Sequence, residues 1–173
     1  TDEETVVRLR RASSDLGGAR ATTPGEVRLV MATHDLGLGG GQLYLTELVR
    51  QLRARVDWPL LVISPRTGVL RAELEDAGVA VHCCGGYPLD DPVAYESKLL
   101  ELAHVVRGFG GNIVLSNTML AAIGADLASR LGAPSVVAIH ESYEWDEFFA
   151  VGYPEGGVHP RVRDGLRDAG RQA

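Results

Sequence analysis

Four glycines fall between Gly37 and Gly41, with His34-Asp35 before them and Gln42 after. A glycine-rich turn ahead of a helix lets an anionic group approach backbone N–H groups and the positive end of the helix dipole. Phosphate recognition is therefore the first chemistry to test. A dinucleotide fingerprint requires G-x-G-x-x-G; Gly37-Leu38-Gly39 begins it, but position 42 is Gln. The fingerprint also requires an acid at the end of the second strand, where this chain reads Ile63-Ser64-Pro65-Arg66. A Walker-type loop requires Lys followed by Ser or Thr, and Gln42 and Leu43 occupy those positions. Both versions fail. Two readings remain: the glycines only permit a tight strand-to-helix turn, or they admit a ligand. Each glycine costs roughly 0.5–1 kcal/mol in chain entropy, so four exceed the needs of one turn and favour a ligand.

Further polar residues could do chemistry. A neutral imidazole at His140 can donate to or accept from a hydroxyl, or it simply ends a strand. Glu141 either orients His140, contacts an acceptor, or is a solvated loop acid. Asn117 and Thr118 either bind ligand or cap the helix that follows, capping being the default for such residues. His34 and Asp35 either touch an acceptor or belong to the loop itself. His82, His104 and His159 are assigned to packing or surface. Cys83 and Cys84 are adjacent and lack CxxC or Cys/His zinc spacing, so they read as reduced thiols, with Cys83 at the buried end of a strand. No D-x-D pair follows a strand, since Asp90-Asp91 sits in a turn, and no metal site is expected.

The elements that must position these groups alternate. Val27 to Thr33 is a nearly continuous apolar run, the mark of a strand buried on both faces. Leu43, Leu45, Leu48, Val49 and Leu52 then recur at helical spacing up to about Ala54. Leu60 to Ser64 is a second strand, Gly68 to Ala77 a helix stopped by Gly78, and Val79 to Cys83 a third strand. Pro92 opens a longer helix. Asn112 to Ser116, a helix from Met119 to Leu131, and Ser135 to Ile139 complete the series. Right-handed crossovers then give a Rossmann-like, doubly wound, mainly parallel α/β sheet with helices on both faces. Ligands bind such sheets beyond the carboxyl ends of the strands, where Thr33 to Gln42, Ser116 to Thr118 and His140 to Glu144 all fall.

Residues 1–25 differ from the rest. Thr5 to Arg11 suits a short helix, and the turn formers after it suggest a partly disordered extension or linker. The α/β domain is expected over residues 26–150. Residues 151–173 read as loop and helix; before them, Tyr143, Trp145, Phe148 and Phe149 alternate with acids, suiting an acceptor groove, a membrane-facing rim, or an amphipathic helix packed on a domain. The chain has 173 residues, a length for one domain, and 45% hydrophobic residues, enough for a core without staples. Its net charge of -6 gives no general attraction to nucleic acid, and no apolar run reaches the length of a membrane-spanning helix.

The segment "VRLVMATHDLGLGGGQLYLTELVRQL", Val27 to Leu52, resembles the opening of GT-B glycosyltransferases of the retaining family 4. The resemblance continues through "GVLRAELEDAGVAVHC" and "NIVLSNTMLAAIGADLASRLGAPSVVAIHES", covering about residues 26–145. It implies the N-terminal, acceptor-side half of an enzyme that moves a glycosyl group, of hexosyltransferase type, from a nucleotide-sugar to an acceptor hydroxyl with the anomeric configuration kept. His140 then stands where the family places an active-site histidine, and Gly39, Gly40 and Gly41 face the donor diphosphate or the transferred sugar. The donor is a substrate, so no separate cofactor is implied. The partners implied are the nucleotide-sugar, a glycan, lipid or small-molecule acceptor, and a C-terminal Rossmann domain without which the half should be inactive. A cytoplasmic site follows, with the inner membrane face and peripheral membrane contact as one option. One departure stands out: the family often reads Gly-Gly-Ala-Glu, and here it is Gly39-Gly40-Gly41-Gln42, so Gln42 is expected to contribute less to capping and to charge-dependent contacts. The alternative is a non-catalytic α/β ligand-binding or interaction module; a nucleotide-dependent oxidoreductase is disfavoured by the failed fingerprint.

Overall fold

The computed structural model describes residues 1–16 and 26–140. Within them five strands form one all-parallel sheet: β1 (Leu29–Ala32), β2 (Leu60–Ser64), β3 (Ala80–Cys83), β4 (Ile113–Asn117) and β5 (Ser135–Ala138). Their order across the sheet is β3-β2-β1-β4-β5. The chain enters at β1, winds outward to β3, and returns to the other side of β1 to lay down β4 and β5. The topological switch therefore lies between β1 and β4, where helices leave on opposite faces and a crevice opens at the carboxyl ends.

The strands alternate their burial between two layers. Leu29 and Met31 of β1, with Leu60 and Val62 of β2, pack with Leu45 and Val49 of α2 (Gly40–Arg55) and Leu74 of α3 (Arg71–Asp76). Val30, Leu61 and Ile63 face the other way, against Leu99, Leu102 and Val106 of α4 (Pro92–Phe109) and Leu127 and Leu131 of α5 (Ile123–Leu131). Each such side chain contributes about 1.5–3 kcal/mol by leaving water, so both layers hold the sheet. This is the Rossmann-like α/β architecture expected from the alternating runs. Element ends moved by one to three residues; the Met119 to Leu131 segment is split into a 3-10 turn, Met119–Ala121, and α5.

The largest difference concerns the start of the chain. The expected short helix is α1 (Asp2–Asp15), begun by a Thr1–Glu4 capping box. It lies against α4 and α5. Glu96 of α4, 1% exposed, takes Arg10 of α1 on one side and both Nη2 contacts of Arg130 at 2.9 and 3.1 Å on the other. The capping box extends this helix at its start, and ion pairing, invisible to periodicity, holds it against α4. The buried thiol is Cys84 rather than Cys83, whose side is half-open; burial pushes the Cys84 thiol above its ordinary pKa.

Register fixes the depth of the carboxyl edge. Ala32 pairs with Ile63 on one side and Ser116 on the other, and Asn117 pairs with Ala138. Chain leaving β1, β4 and β5 thus emerges at one level, so His34, Thr118 and His140 arrive at the switch-point crevice from three strands.

Candidate functional site

Helix α2 begins directly above this crevice. Its cap is Gly39, extended and without a side-chain cap bond, and its first turn holds no acid. The first N–H groups of such a helix carry the positive end of the dipole, and no side chain makes a cap bond to them here. The glycines do not serve a left-handed turn: among the described residues the glycines with positive φ are Gly78, Gly85, Gly86, Gly110 and Gly132, none of them in this loop. Two of its glycines serve space instead. A Cβ on Gly41 would lie 2.6 Å from Thr118 Cγ2, and one on Gly39 would lie 2.5 Å from Gln42 Oε1. Gly40 has nothing within 4 Å and is exposed. Gly68, after β2, clamps the loop from behind: its Cβ would lie 2.2 Å from Leu36 O, and Leu70 N donates to the same carbonyl at 3.1 Å.

The end of β4 ties loop and helix together. Asn117, fully buried, donates from Nδ2 to Gly41 O at 2.8 Å. That bond orients the amide, so Oδ1 faces His140 Nε2 at 3.0 Å, and the imidazole donates there. His140 also meets the ring of Tyr44, from α2, at 4.4 Å between centroids. Thr118 is 2% exposed with φ 82° and ψ 157°, the one non-glycine positive φ among the described residues. Such a backbone costs about 1–3 kcal/mol and persists only where neighbours enforce it. Here Thr118 N donates to Ala138 O at 2.9 Å, and its Oγ1 meets His34 Nδ1 at 3.2 Å. Neither side chain caps the turn that follows, so the capping expectation for Asn117 and Thr118 is replaced by this bridging role.

On the β1 side Gln42 is the hub. Its Nε2 lies 2.8 Å from His34 Nε2 and 2.5 Å from Asp35 Oδ1. Gln42 is 5% exposed and makes no cap bond, in keeping with the lower capping contribution expected of it; its contact with the Asp35 carboxylate is the part that was not expected. Asp35 further accepts from Gly37 N at 2.8 Å and stands 4.0 Å from the exposed Arg66 guanidinium. Burial pushes the Asp35 carboxyl up, but the Gly37 N–H, the Gln42 amide, His34 and Arg66 together outweigh it and hold it below its ordinary value. Tyr87, in the loop after β3, reaches across to donate to Thr33 O at 2.9 Å.

The fold thus brings His34, Asp35, Gly39, Gly40, Gly41, Asn117, Thr118 and His140 to one crevice. Glu141, the aromatic-acidic run from Tyr143 to Phe149, His159 and residues 151–173 lie outside the described residues. His82 and His104 lie away from the crevice; His82, on β3, stands 3.9 Å from Glu101. Sequence reasoning missed Gln42 as a hub, and missed Tyr44 and Tyr87. Tyr44 sits two residues from Gln42, on the exposed side of a helix whose apolar spacing draws attention elsewhere. Among the described residues no group of three His, Cys, Asp or Glu side chains converges on a metal position, and no helix is long and apolar enough to cross a membrane. The arrangement offers uncapped helix N–H groups, two imidazoles and a buried hydroxyl around open glycine backbone, a set suited to phosphate and sugar hydroxyls.

The model of the glycosyl transferase 4-like domain family matches residues 39–173, most of the chain, starting at the cap of α2. No curated protein and no solved structure matches the chain.

Proposed function

This chain belongs to the glycosyl transferase 4-like domain family, and from that premise we propose that it is the acceptor-side half of a retaining glycosyltransferase using a nucleotide-sugar donor. Membership makes it a glycosyltransferase domain, working on a sugar donor and an acceptor. The observation that carries the finer reading is Asn117, whose amide joins the glycine-loop carbonyl of Gly41 to His140 across 2.8 and 3.0 Å. It couples the place where a diphosphate would meet helix N–H groups to a group that bonds hydroxyls.

In this reading the Gly39 to Gly41 backbone faces the donor diphosphate, and His140 contacts the transferred hexosyl unit. His34, Asp35, Thr118 and Glu141 border the acceptor. The bond from the anomeric carbon to the diphosphate oxygen breaks, its electron pair leaving with the diphosphate. A bond to the acceptor oxygen forms on the same face, and the acceptor proton passes to the departing phosphate. The donor is itself the substrate and no separate cofactor takes part. A second Rossmann domain supplies most donor contacts and closes the crevice into a cleft, and the protein works in the cytoplasm, the inner membrane face being one location for a lipid acceptor.

The test is transfer from a nucleotide-sugar panel by the protein bearing both domains, with the product anomer read by proton NMR. Transfer with retention supports the reading. Inversion overturns the mechanism, and absence of transfer with tight ligand binding would mark a binding module instead.

A further inference from the structure

We propose that Gln42 is a positioning residue that sets the tautomer of His34 and that Asp35 requires an amide, rather than an acid, at position 42. The inference deepens the reading of the crevice as a sugar-transfer site and rests on it for its catalytic meaning, but not for its geometry.

The chemistry follows from donor counting. Ionised Asp35 only accepts, so the Gln42 atom 2.5 Å from Oδ1 must be the NH2 group. That nitrogen has two hydrogens. One goes to Asp35 and the other points at His34 Nε2, 2.8 Å away. His34 Nε2 must then accept, which in the neutral ring places the proton on Nδ1. Nδ1–H donates to Thr118 Oγ1 at 3.2 Å. The hydroxyl could serve either tautomer, as donor or acceptor, so Thr118 does not decide the matter. Asp35 Oδ2, 3.8 Å from His34 Nε2, would decide it the opposite way by attracting a proton to Nε2. Gln42 stands against that pull.

A glutamate at position 42 would set a carboxylate against Asp35 and offer His34 Nε2 an acceptor in place of a donor. Two carboxylates this close cannot both ionise freely. The ring proton would move to Nε2, and Thr118 would turn from acceptor to donor. The glycine at 39 belongs to the same device, since a Cβ there would lie 2.5 Å from Gln42 Oε1 and push the amide out of place.

The experiment is nitrogen-proton correlation NMR of the histidine side chains in the 173-residue chain, above neutral pH, with His34 assigned by its loss in His34→Asn. The wild-type ring should show a protonated Nδ1 and an unprotonated Nε2. In Gln42→Glu and in Gln42→Met the proton should move to Nε2, toward the new carboxylate in the first and toward Asp35 in the second. Circular dichroism melting checks that each variant is folded, and the methionine variant decides the question if the glutamate variant is not. A wild-type Nε2–H ring, or an Nδ1–H ring kept in a folded variant, overturns the proposal. No sugar transfer is needed for this readout, so the proposal and the enzymatic reading can fail separately. In the transferring protein, Gln42→Met, or Gln42→Glu if melting shows it folded, should lower kcat about tenfold or more; an unchanged kcat despite a moved proton would leave the tautomer assignment standing and remove its role in transfer.

Discussion

A methyl group placed on one of two neighbouring glycines should separate packing from ligand access. Gly40 and Gly41 open the same helix, and neither has a left-handed backbone. At Gly40 a Cβ meets nothing within 4 Å. Gly40→Ala should therefore be neutral or gain up to about 0.5–1 kcal/mol from reduced chain entropy and better helix propensity. At Gly41 the Cβ lands 2.6 Å from Thr118 Cγ2. Real Cβ contacts are longer, so something must move. Thr118 is a poor candidate: it is buried, β-branched, held by Ala138 O through its N–H, and bonded to His34 through Oγ1. Rotating it breaks the His34 contact. Sliding α2 away strains the Asn117 bond to Gly41 O. Overpacking of this kind costs about 1–3 kcal/mol, partly offset by the same helix gain, so Gly41→Ala should be less stable than Gly40→Ala by about that 1–3 kcal/mol. For a chain of this size the difference is about 2–12 °C in melting temperature. Urea and thermal unfolding followed by circular dichroism measure it. Equal stability of the two alanine variants would refute the claim that Gly41 exists for the close approach of α2 to β4. The same pair then tests function. Gly40→Ala should stay folded yet weaken nucleotide-sugar binding in the protein bearing both domains, because its exposed backbone is the part of the loop left open.

Three other outcomes are expected. His140→Ala should cut glycosyl transfer by about 10²–10³-fold, the loss typical of one aimed hydrogen-bonding group, and lower stability by about 1–3 kcal/mol as the buried Asn117 Oδ1 loses its donor; wild-type turnover would remove His140 from the reaction. Glu96→Ala should destabilise the fold by about 3–5 kcal/mol by leaving the Arg130 and Arg10 cations without their buried partner, and amide exchange in α1 should rise with it; a change under about 1 kcal/mol would mean that α1 docks without this triad. Because folding lowers the pKa of Asp35 below 3.8, its contribution to stability is fully present above about pH 4 and is lost as pH falls through the lowered value. Asp35→Asn keeps the acceptor for Gly37 N but cannot titrate, so the acid-side loss should be shallower in the variant's pH–stability curve; parallel curves would show that Asp35 is not so held.

Much of the fold was legible because it depends on period. The apolar runs at Leu29–Ala32 and Leu60–Ser64 and the helical spacing of Leu45 and Val49 demand a two-faced parallel sheet. What escaped was set by polar contacts between distant residues. Helix α1 is held against α4 by Arg10 and Glu96, 86 positions apart, and nothing local in either segment announces that pair. The crevice was legible as three loops at one sheet edge, since alternation fixes which strand ends lie together. The bonds inside it were not. Asn117 and Thr118 have the composition of helix caps, and only the approach of α2 to β4 turns them toward Gly41, His140 and His34. The role of Gln42 as a partner of Asp35 was not legible, because the two meet only once the loop between them folds back seven positions.

The crevice also explains why this edge tolerates strain. Thr118 holds a backbone that glycine would take at no cost, and Asn117 beside it is buried with its whole amide committed. Each is destabilising alone: strain of about 1–3 kcal/mol for the first, and a polar group removed from water for the second. They persist because the same geometry satisfies them. The extended turn at Thr118 lets its N–H reach Ala138 O while its hydroxyl reaches His34, and the lack of a side chain at Gly41 brings a carbonyl within reach of Asn117. Relieving the strain with glycine at 118 would free the backbone but delete the hydroxyl that His34 Nδ1 faces. Replacing Gly41 would restore helix propensity but separate the carbonyl from Asn117, and with it the orientation of His140. Stability at this edge can therefore be raised at either position only by loosening a link between β1, β4 and β5, which is the pattern of a site selected for geometry over stability.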